Sequence, residues 1–387
     1  MYIHQFSEWP KFRWNQASLA VTLASVRHRQ GRLIGNAEAL GFRLRQEADL
    51  ETLTADVLKS SEIEGERLDV EQVRSSIARR LGIDIGALKP ADRNVEGIVE
   101  MMLDATRQYD RPLSAERLFS WQASLFPAGF SGMAKIRVGA WRDDIVGPME
   151  VVSGPIGKER VHYQAPPAVR VAAEMRTFLH WFNTEAAIDP VLKAGLAHLW
   201  FVTIHPFDDG NGRIARAIAD MALARSESSQ QRFYSMSSQI RQERAAYYRI
   251  LEKTQSETLN VTHWMEWFLG CMGRAIDSAQ TTLASVLFKA RFWESVAAVS
   301  LIERQRLVLN RLLDGFEGKL TTSKYEKLAK CSQDTALRDV LYLVDHGVLV
   351  RNPEGGRSTS YALAPLPESG RGGARSTATI NLPDAEA

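Results

Sequence analysis

The chain has 387 residues, with 48 Lys and Arg against 46 Asp and Glu, so its net charge of +2 gives no global argument for a polyanionic partner. Hydrophobic residues at 45% and charged residues at 24% exclude a wholly disordered chain, and the length allows two or three domains. The two cysteines, Cys271 and Cys331, form no CxxC pair, which excludes a disulfide scaffold or a cysteine zinc site and suits a reducing compartment. The start, MYIHQFSEWPKFRWN, lacks an apolar stretch, and no run of about 18 apolar residues occurs, so neither secretion nor a membrane partner is expected and a cytoplasmic location is.

Most of the chain reads as helix. Residues 16–50 carry Leu19, Val21, Leu23, Val26, Leu33, Ala37, Leu40 and Leu44 at a spacing that fits amphipathic helix better than strand. A helix over about 50–64 follows, closed by Gly65 just past its end. Further helical patterns lie at 94–109, 114–125, 167–185, 189–204, 213–225 and 241–254. Residues 126–166 interrupt them with many Gly and Pro, and there 149–153 and 160–163 predict a β-hairpin around a glycine-bearing turn.

The pattern changes near residue 299. Helices are predicted at 301–313 and 322–330, then from an N-cap at Ser332 to about 346, followed by strands at 348–351 and 359–363 around the turn 352–358. Three helices and a two-stranded wing is the order of a winged helix. The end, 365–387, is rich in Pro, Gly, Ser, Thr and Ala and reads as a disordered tail.

The chemistry concentrates in His205-Pro206-Phe207-Asp208-Asp209-Gly210-Asn211-Gly212-Arg213-Ile214-Ala215-Arg216, between two apolar helices. Gly210, Asn211 and Gly212 let the backbone curl and aim several N–H groups at one point, at a helix N-terminus that favours an anion. Arg213 and Arg216 share a helix face beside it. Asp209 is a hard oxygen ligand suited to Mg²⁺ carrying nucleotide phosphates, and His205 is the natural proton acceptor for a hydroxyl nucleophile.

This segment fits in full the signature HPFx[D/E]GNGRxxR, and through it the chain resembles the Fic (filamentation induced by cAMP) family over roughly residues 95–275. The resemblance implies an all-helical core, ATP and Mg²⁺ as cosubstrate and metal, and transfer of AMP to a Tyr, Thr or Ser hydroxyl of a target protein, including the chain itself. It further implies that His205 is the base and Asp209 the metal ligand. The nucleotide would be held by Phe207, Asp208, Asp209, Gly210, Asn211, Gly212, Arg213 and Arg216, with Tyr247 and Tyr248 at the adenine side. The hairpin occupies the place of the family's target-docking flap, where Val151, Val152, Ser153 and Gly154 would align an extended target segment by strand addition.

Residues 60–65, Ser60-Ser61-Glu62-Ile63-Glu64-Gly65, fit the family's inhibitory pattern (S/T)xxxE(G/N), and their position upstream of the catalytic segment resembles class II, in which an N-terminal helix restrains the same chain. Glu64 can pair with Arg216 and repel the γ-phosphate that this arginine should hold. Trp9-Pro10-Lys11-Phe12-Arg13-Trp14-Asn15 resembles the start of an uncharacterised module found ahead of some Fic domains.

The expected fold is therefore mainly α. It has an N-terminal helical module at 1–94 carrying the inhibitory helix, a Fic core at 95–275 with a β-hairpin flap, a linker helix at 276–298, a winged-helix-like domain at 299–364 and a tail at 365–387. Residues 299–363 carry ten Lys and Arg against eight acids, a weak excess for nucleic acid, so docking of protein or a homodimer is favoured there. The alternatives on the same site are AMP removal, transfer of another phosphate-containing group, or nucleotide sensing by a DNA-binding regulator.

Overall fold

A computed structural model of the chain describes residues 1–85, 89–145, 147–154, 158, 160–313, 318–353 and 359–366. Nearly all of the predicted tail, most of the turn at 352–358 and most of the tip of the hairpin lie outside the described residues. The chain divides into two compact units, Met1–Leu283 and Ala284–Ala387.

In the first unit, Asn15 caps α1 (Gln16–Glu38), its side chain accepting from the amides of Ala17 and Ser18. The helical stretches expected over 16–50 and about 50–64 divide at Gly41 and not near residue 50, and α2 (Phe42–Ile63) begins there. Glycine is a poor helix former, and here it stands at the start of the new helix. The sequence reading did not identify α3 (Val70–Leu81), which Asp69 caps and Gly82 ends in the left-handed conformation. Asp92 and Ser114 likewise cap α4 (Arg93–Arg107) and α5 (Ala115–Leu125).

The glycine-rich stretch holds two small hairpins. Strands β1 (Phe130–Ser131) and β2 (Ala134–Lys135) form one. The expected hairpin forms from β3 (Glu150–Ser153) and β4 (Arg160–Gln164), antiparallel, with a register shift between Val151 and Val152. Among the described residues β3 pairs only with β4, so its other edge is free.

Next come α6 (Ala168–Thr184), α7 (Pro190–Ile204) and α8 (Asn211–Glu227). From Val191 to Ile204 only Lys193 escapes burial, the mark of a helix surrounded on all sides by its own domain. The unit closes with α9 (Met236–Gln242), α10 (Arg244–Gln255) and the first part of the 34-residue α11 (Thr262–Ser295), which runs on past Leu283. No helix among the described residues is long and apolar enough to cross a membrane.

In the second unit the order is α12 (Glu303–Leu313), β5 (Leu320–Thr321), α13 (Thr322–Ala329), α14 (Gln333–Asp345), β6 (Leu349–Arg351) and β7 (Ser360–Leu363). The wing expected as two strands gains a third, because β5 pairs with β7 and the sheet runs β5-β7-β6. Val308, Leu309, Tyr325, Val340, Leu343 and Leu349 form its core. Asp339, one of three acids on α14, faces that core, where Arg304 at 2.6 Å and the Tyr325 hydroxyl at 3.1 Å bond its carboxylate.

Candidate functional site

The loop between α7 and α8 is shaped from both sides. His205 ends α7 in the left-handed region, φ 52°, and Gly210 opens α8 with φ 89°. A non-glycine residue there costs free energy that its surroundings must offset. Arg142 supplies much of that constraint: its buried guanidinium donates Nε–H to the His205 carbonyl at 2.7 Å and Nη1–H to Asp144 at 2.9 Å, and also bonds the Pro166 carbonyl. Asn211 closes the loop from the other side, accepting from the Phe207 amide at 3.0 Å and donating to the Phe207 carbonyl at 2.7 Å. Phe207 itself is fully buried against Trp141, Phe119 and Phe201. Asp208 accepts from the Arg137 amide at 2.8 Å. In this structure Phe207, Asp208 and the Asn211 side chain hold the loop.

His205 is half-buried, and one side of its ring faces a cavity. Burial is the main reason its pKa falls to about 4, with the nearby Arg142 acting in the same direction. The ring is therefore neutral at ordinary pH. Nδ1 lies 3.2 Å from the Val202 carbonyl, which can only accept, so Nδ1 carries the proton and Nε2 keeps its lone pair. This is the state of a general base.

Beside it, the end of α2 delivers two carboxylates to two arginines. Arg216, only 2% exposed, donates Nε–H to Ser60 Oγ at 2.9 Å and Nη2–H to the Ser60 carbonyl at 2.9 Å and Glu64 Oε1 at 2.7 Å. One α-helical turn separates Ser60 from Glu64, which puts both on the same guanidinium. Gly65 then turns the chain with φ 90°, its amide bonding the Glu62 carbonyl and the Glu66 amide the Ser61 carbonyl. The turn is a Schellman motif, and it requires a residue that tolerates positive φ. Past it, Glu66 accepts from Arg213 Nη1 at 2.9 Å, while the Arg213 guanidinium stands 5.0 Å over the Phe126 ring.

The Glu64 carboxylate sits over the first turn of α8. A Cβ at Gly212 would lie 2.2 Å from Glu64 Oε1, so a side chain there would displace it. An anion belonging to the chain itself thus lies at this helix N-terminus, where unpaired N–H groups favour negative charge. Arg216 Nη1 and Arg213 Nε are buried with no hydrogen-bond partner among the described residues, donors open to a further anion.

Glu64, His205, Gly212, Tyr247, Tyr248 and the flap residues Val151, Val152 and Ser153 line one cavity of about 600 Å³. That size is typical of small-molecule sites. Tyr247 is buried, its hydroxyl 2.8 Å from His198 Nε2, whereas Tyr248 is the more exposed of the two. Arg244 Nε–H reaches the Ile63 carbonyl at 2.8 Å and ties α10 to the end of α2. Gly154 is at the end of β3 with φ 109°. Asp209 is half-buried, with its carboxylate accepting from the Gly210 amide at 2.5 Å and from the Ser131 hydroxyl.

Three residues at this site escaped the sequence reading. Glu66 had a signal, a second acid directly after the helix-ending glycine. Arg142 and Ser131 had none, because tertiary packing alone brings them to the loop.

Taken together, fold and site define a helical domain in which the chain's own Glu64 carboxylate lies at a helix N-terminus beside a neutral, half-buried histidine. Residues 112–223 match the family described as Fic/DOC, and residues 2–83 match a family described as a domain of unknown function (DUF4172). Residues 112–223 thus form a Fic/DOC domain. It is 39% identical over 61 residues to a probable protein adenylyltransferase of Aquifex aeolicus, which covers 16% of this chain and 19% of that one. It is 31% identical over 109 residues to the protein adenylyltransferase Fic of Drosophila virilis, 28% of this chain and 21% of that one. The chain thus spans about a fifth of the length of these curated relatives. A crystal structure of a Fic family protein from Desulfovibrio desulfuricans G20 shares the fold with a TM-score of 0.52 at 22% identity, covering 89% of this chain and 95% of that one.

Proposed function

We propose that the chain transfers AMP from ATP to a hydroxyl of a Tyr, Thr or Ser on a target protein, and that Glu64 restrains the transfer. The observation that carries this reading is the Glu64 carboxylate on Arg216 at 2.7 Å, lodged at the helix N-terminus beside a neutral His205. The relatives named protein adenylyltransferases support the reaction class.

His205 Nε2 takes the proton of the acceptor hydroxyl, whose oxygen bonds to the α-phosphorus as the bond to the β-phosphate breaks and pyrophosphate leaves. The amides at the start of α8 hold phosphate oxygens. Arg213 and Arg216, once released from Glu66 and Glu64, hold the terminal phosphates. Tyr247 and Tyr248 flank the base, and the free edge of β3 aligns the target segment.

Among the described residues no three His, Cys, Asp or Glu side chains gather as a metal cage. A lone carboxylate fits an ion that arrives on phosphates, because Mg²⁺ is commonly held by one or two carboxylates plus the nucleotide. Asp209 would hold it, and the ion would offset phosphate charge.

The test is covalent labelling of protein by α-³²P-ATP. A Glu64→Gly chain should retain label, and the same chain with His205→Ala should lose nearly all of it while still binding ATP. Equal labelling by both would remove His205 from the mechanism.

A further inference from the structure

The contact between Glu64 and Arg216 belongs to a longer register between α2 and α8. Glu64 lies over Gly212 and Ser60 meets Arg216, so the two helices run against each other, one turn matched to one turn. The next step back along α2 is Asp56, and the next step forward along α8 is Asp220. Both are buried, and the Asp220 charge acts on Asp56. This third layer sets carboxylate against carboxylate, and two buried like charges disfavour each other's ionisation.

The surroundings decide where a proton sits. The fully buried Arg232 donates Nη2–H to Asp220 Oδ1 at 3.0 Å and Nη1–H to the Asp220 carbonyl at 3.3 Å. The same guanidinium stands 3.8 Å from Glu227, which accepts from Gln30 of α1 at 2.7 Å and from the Tyr234 hydroxyl. Asp56 is bonded by neutral groups, the Ser235 hydroxyl and the Ser237 amide at the start of α9. Asp220 Oδ2 is buried with no hydrogen-bond partner among the described residues. Other charged groups against α2 are engaged away from this layer: Arg74 of α3 with Glu47, Arg107 of α4 with Asp49, Arg241 of α9 with Glu62. Arg216, one turn before Asp220, is held by Ser60 and Glu64. Burial first, and then the Asp220 charge, push the Asp56 carboxyl up to about 8. Burial raises the Asp220 carboxyl too, with Arg232 opposing it, so the proton belongs to Asp56.

We propose that Asp56 is a positioning residue for Glu64, docking α2 on α8 as the protonated acid that donates to Asp220, and that loss of this proton loosens α2 and frees Arg216; this rests on the reading of Glu64 as the restraint. Docked α2 needs the proton, whereas released α2 leaves Asp56 in water with an ordinary carboxylate pKa. Docking is therefore complete below the ordinary carboxylate range. It weakens as pH rises from there to about 8, by up to about tenfold per pH unit for one proton.

Hydrogen exchange of the α2 amides in the full chain without nucleotide, corrected for the intrinsic pH dependence of exchange, tests the docking. From pH 6 to pH 8, protection over residues 53–64 should fall by roughly ten- to a hundredfold, while α7 amides keep theirs. Asp56→Asn, which retains a donor for Asp220 and cannot ionise, should keep α2 protected at pH 8. Flat α2 protection in the natural chain overturns the inference, whatever the folding of the variant, and so does an equal fall in a folded Asp56→Asn chain. The link to Glu64 is read from label transfer by α-³²P-ATP, as the ratio of the Glu64→Gly rate to the natural rate, which cancels pH effects on ATP and on the acceptor hydroxyl. This ratio should fall toward one as pH rises from 6 to 8, and stay constant when both chains also carry Asp56→Asn. A constant ratio while natural α2 loosens overturns the inference alone. No transfer by any chain, with α2 protection still falling, keeps the proton-dependent docking and overturns the transferase reading instead.

Discussion

Glu66 offers a test that no six-residue inhibitory pattern suggests. Its carboxylate meets Arg213 at 2.9 Å, with the Arg213 side chain 8% exposed and that of Glu66 35% exposed. A charge-assisted hydrogen bond contributes roughly 1.5–3 kcal/mol when well buried. Solvent around Glu66 screens the pair, so about 0.5–1.5 kcal/mol is the better figure. At about 1.4 kcal/mol per tenfold, Glu66→Gln should raise AMP transfer by roughly two- to tenfold. Glu64 is nearly as exposed, at 33%, but it meets at 2.7 Å a guanidinium only 2% exposed and also sits over the first turn of α8 where the phosphates would lie, so its loss should raise transfer by roughly ten- to a hundredfold. Both carboxylates leave the same turn and compete for the same phosphates, so the two effects should couple rather than add. The assay is the initial rate of label transfer from α-³²P-ATP across a range of ATP concentrations, for both single variants and the double. Glu66→Gln with unchanged rate and unchanged ATP affinity, in both the natural and Glu64→Gly backgrounds, refutes the two-carboxylate reasoning.

Four further outcomes follow from the site. Burial lowers the His205 pKa to about 4, so the base stays neutral as pH falls and the rate in a Glu64→Gly chain should decline only as pH approaches 4; a half-maximum near 6.5 would contradict this. The same depression favours folding fully above pH about 6.5, where the unfolded histidine is neutral, and this contribution is lost as pH falls from there towards 4, as pH-dependent melting will show. Asp209→Ala should raise the Mg²⁺ concentration needed for half-maximal transfer, with excess Mg²⁺ restoring only part of the rate, and an unchanged Mg²⁺ curve would remove the ligand role. Asn211→Ala removes both bonds to the Phe207 backbone and should cost about 1–3 kcal/mol of stability, read by denaturant unfolding.

Residue spacing was enough to reveal most helices and the flap, because those signals are local: an apolar period, a capping Ser or Asp, a glycine past the end. The loop between α7 and α8 was legible for the same reason, since its donors and curl lie within one short segment. What remained hidden depends on chain neighbours far apart in sequence. Asp69 and Gly82 bracket α3 plainly, yet its polar sequence conceals the short stripe of Val73, Ile77 and Ala78. Strand β5 has only two residues and exists because β7 pairs with it. Phe207 and Asp208 stand inside the signature, but the structure uses one as a packing anchor and the other to bond the Arg137 amide. Arg142, distant from the loop in sequence, holds the His205 carbonyl.

The most direct test of restraint by Glu64 is the rate of AMP incorporation into protein for three full-length chains: natural, Glu64→Gly, and Glu64→Gly with Arg216→Ala. The contact at 2.7 Å predicts a ten- to hundredfold rise for the single variant, of the order of 1.5–3 kcal/mol, and loss of most of that rise when Arg216 is also removed. A Glu64→Gly chain that transfers AMP no faster than the natural one at any ATP concentration contradicts it.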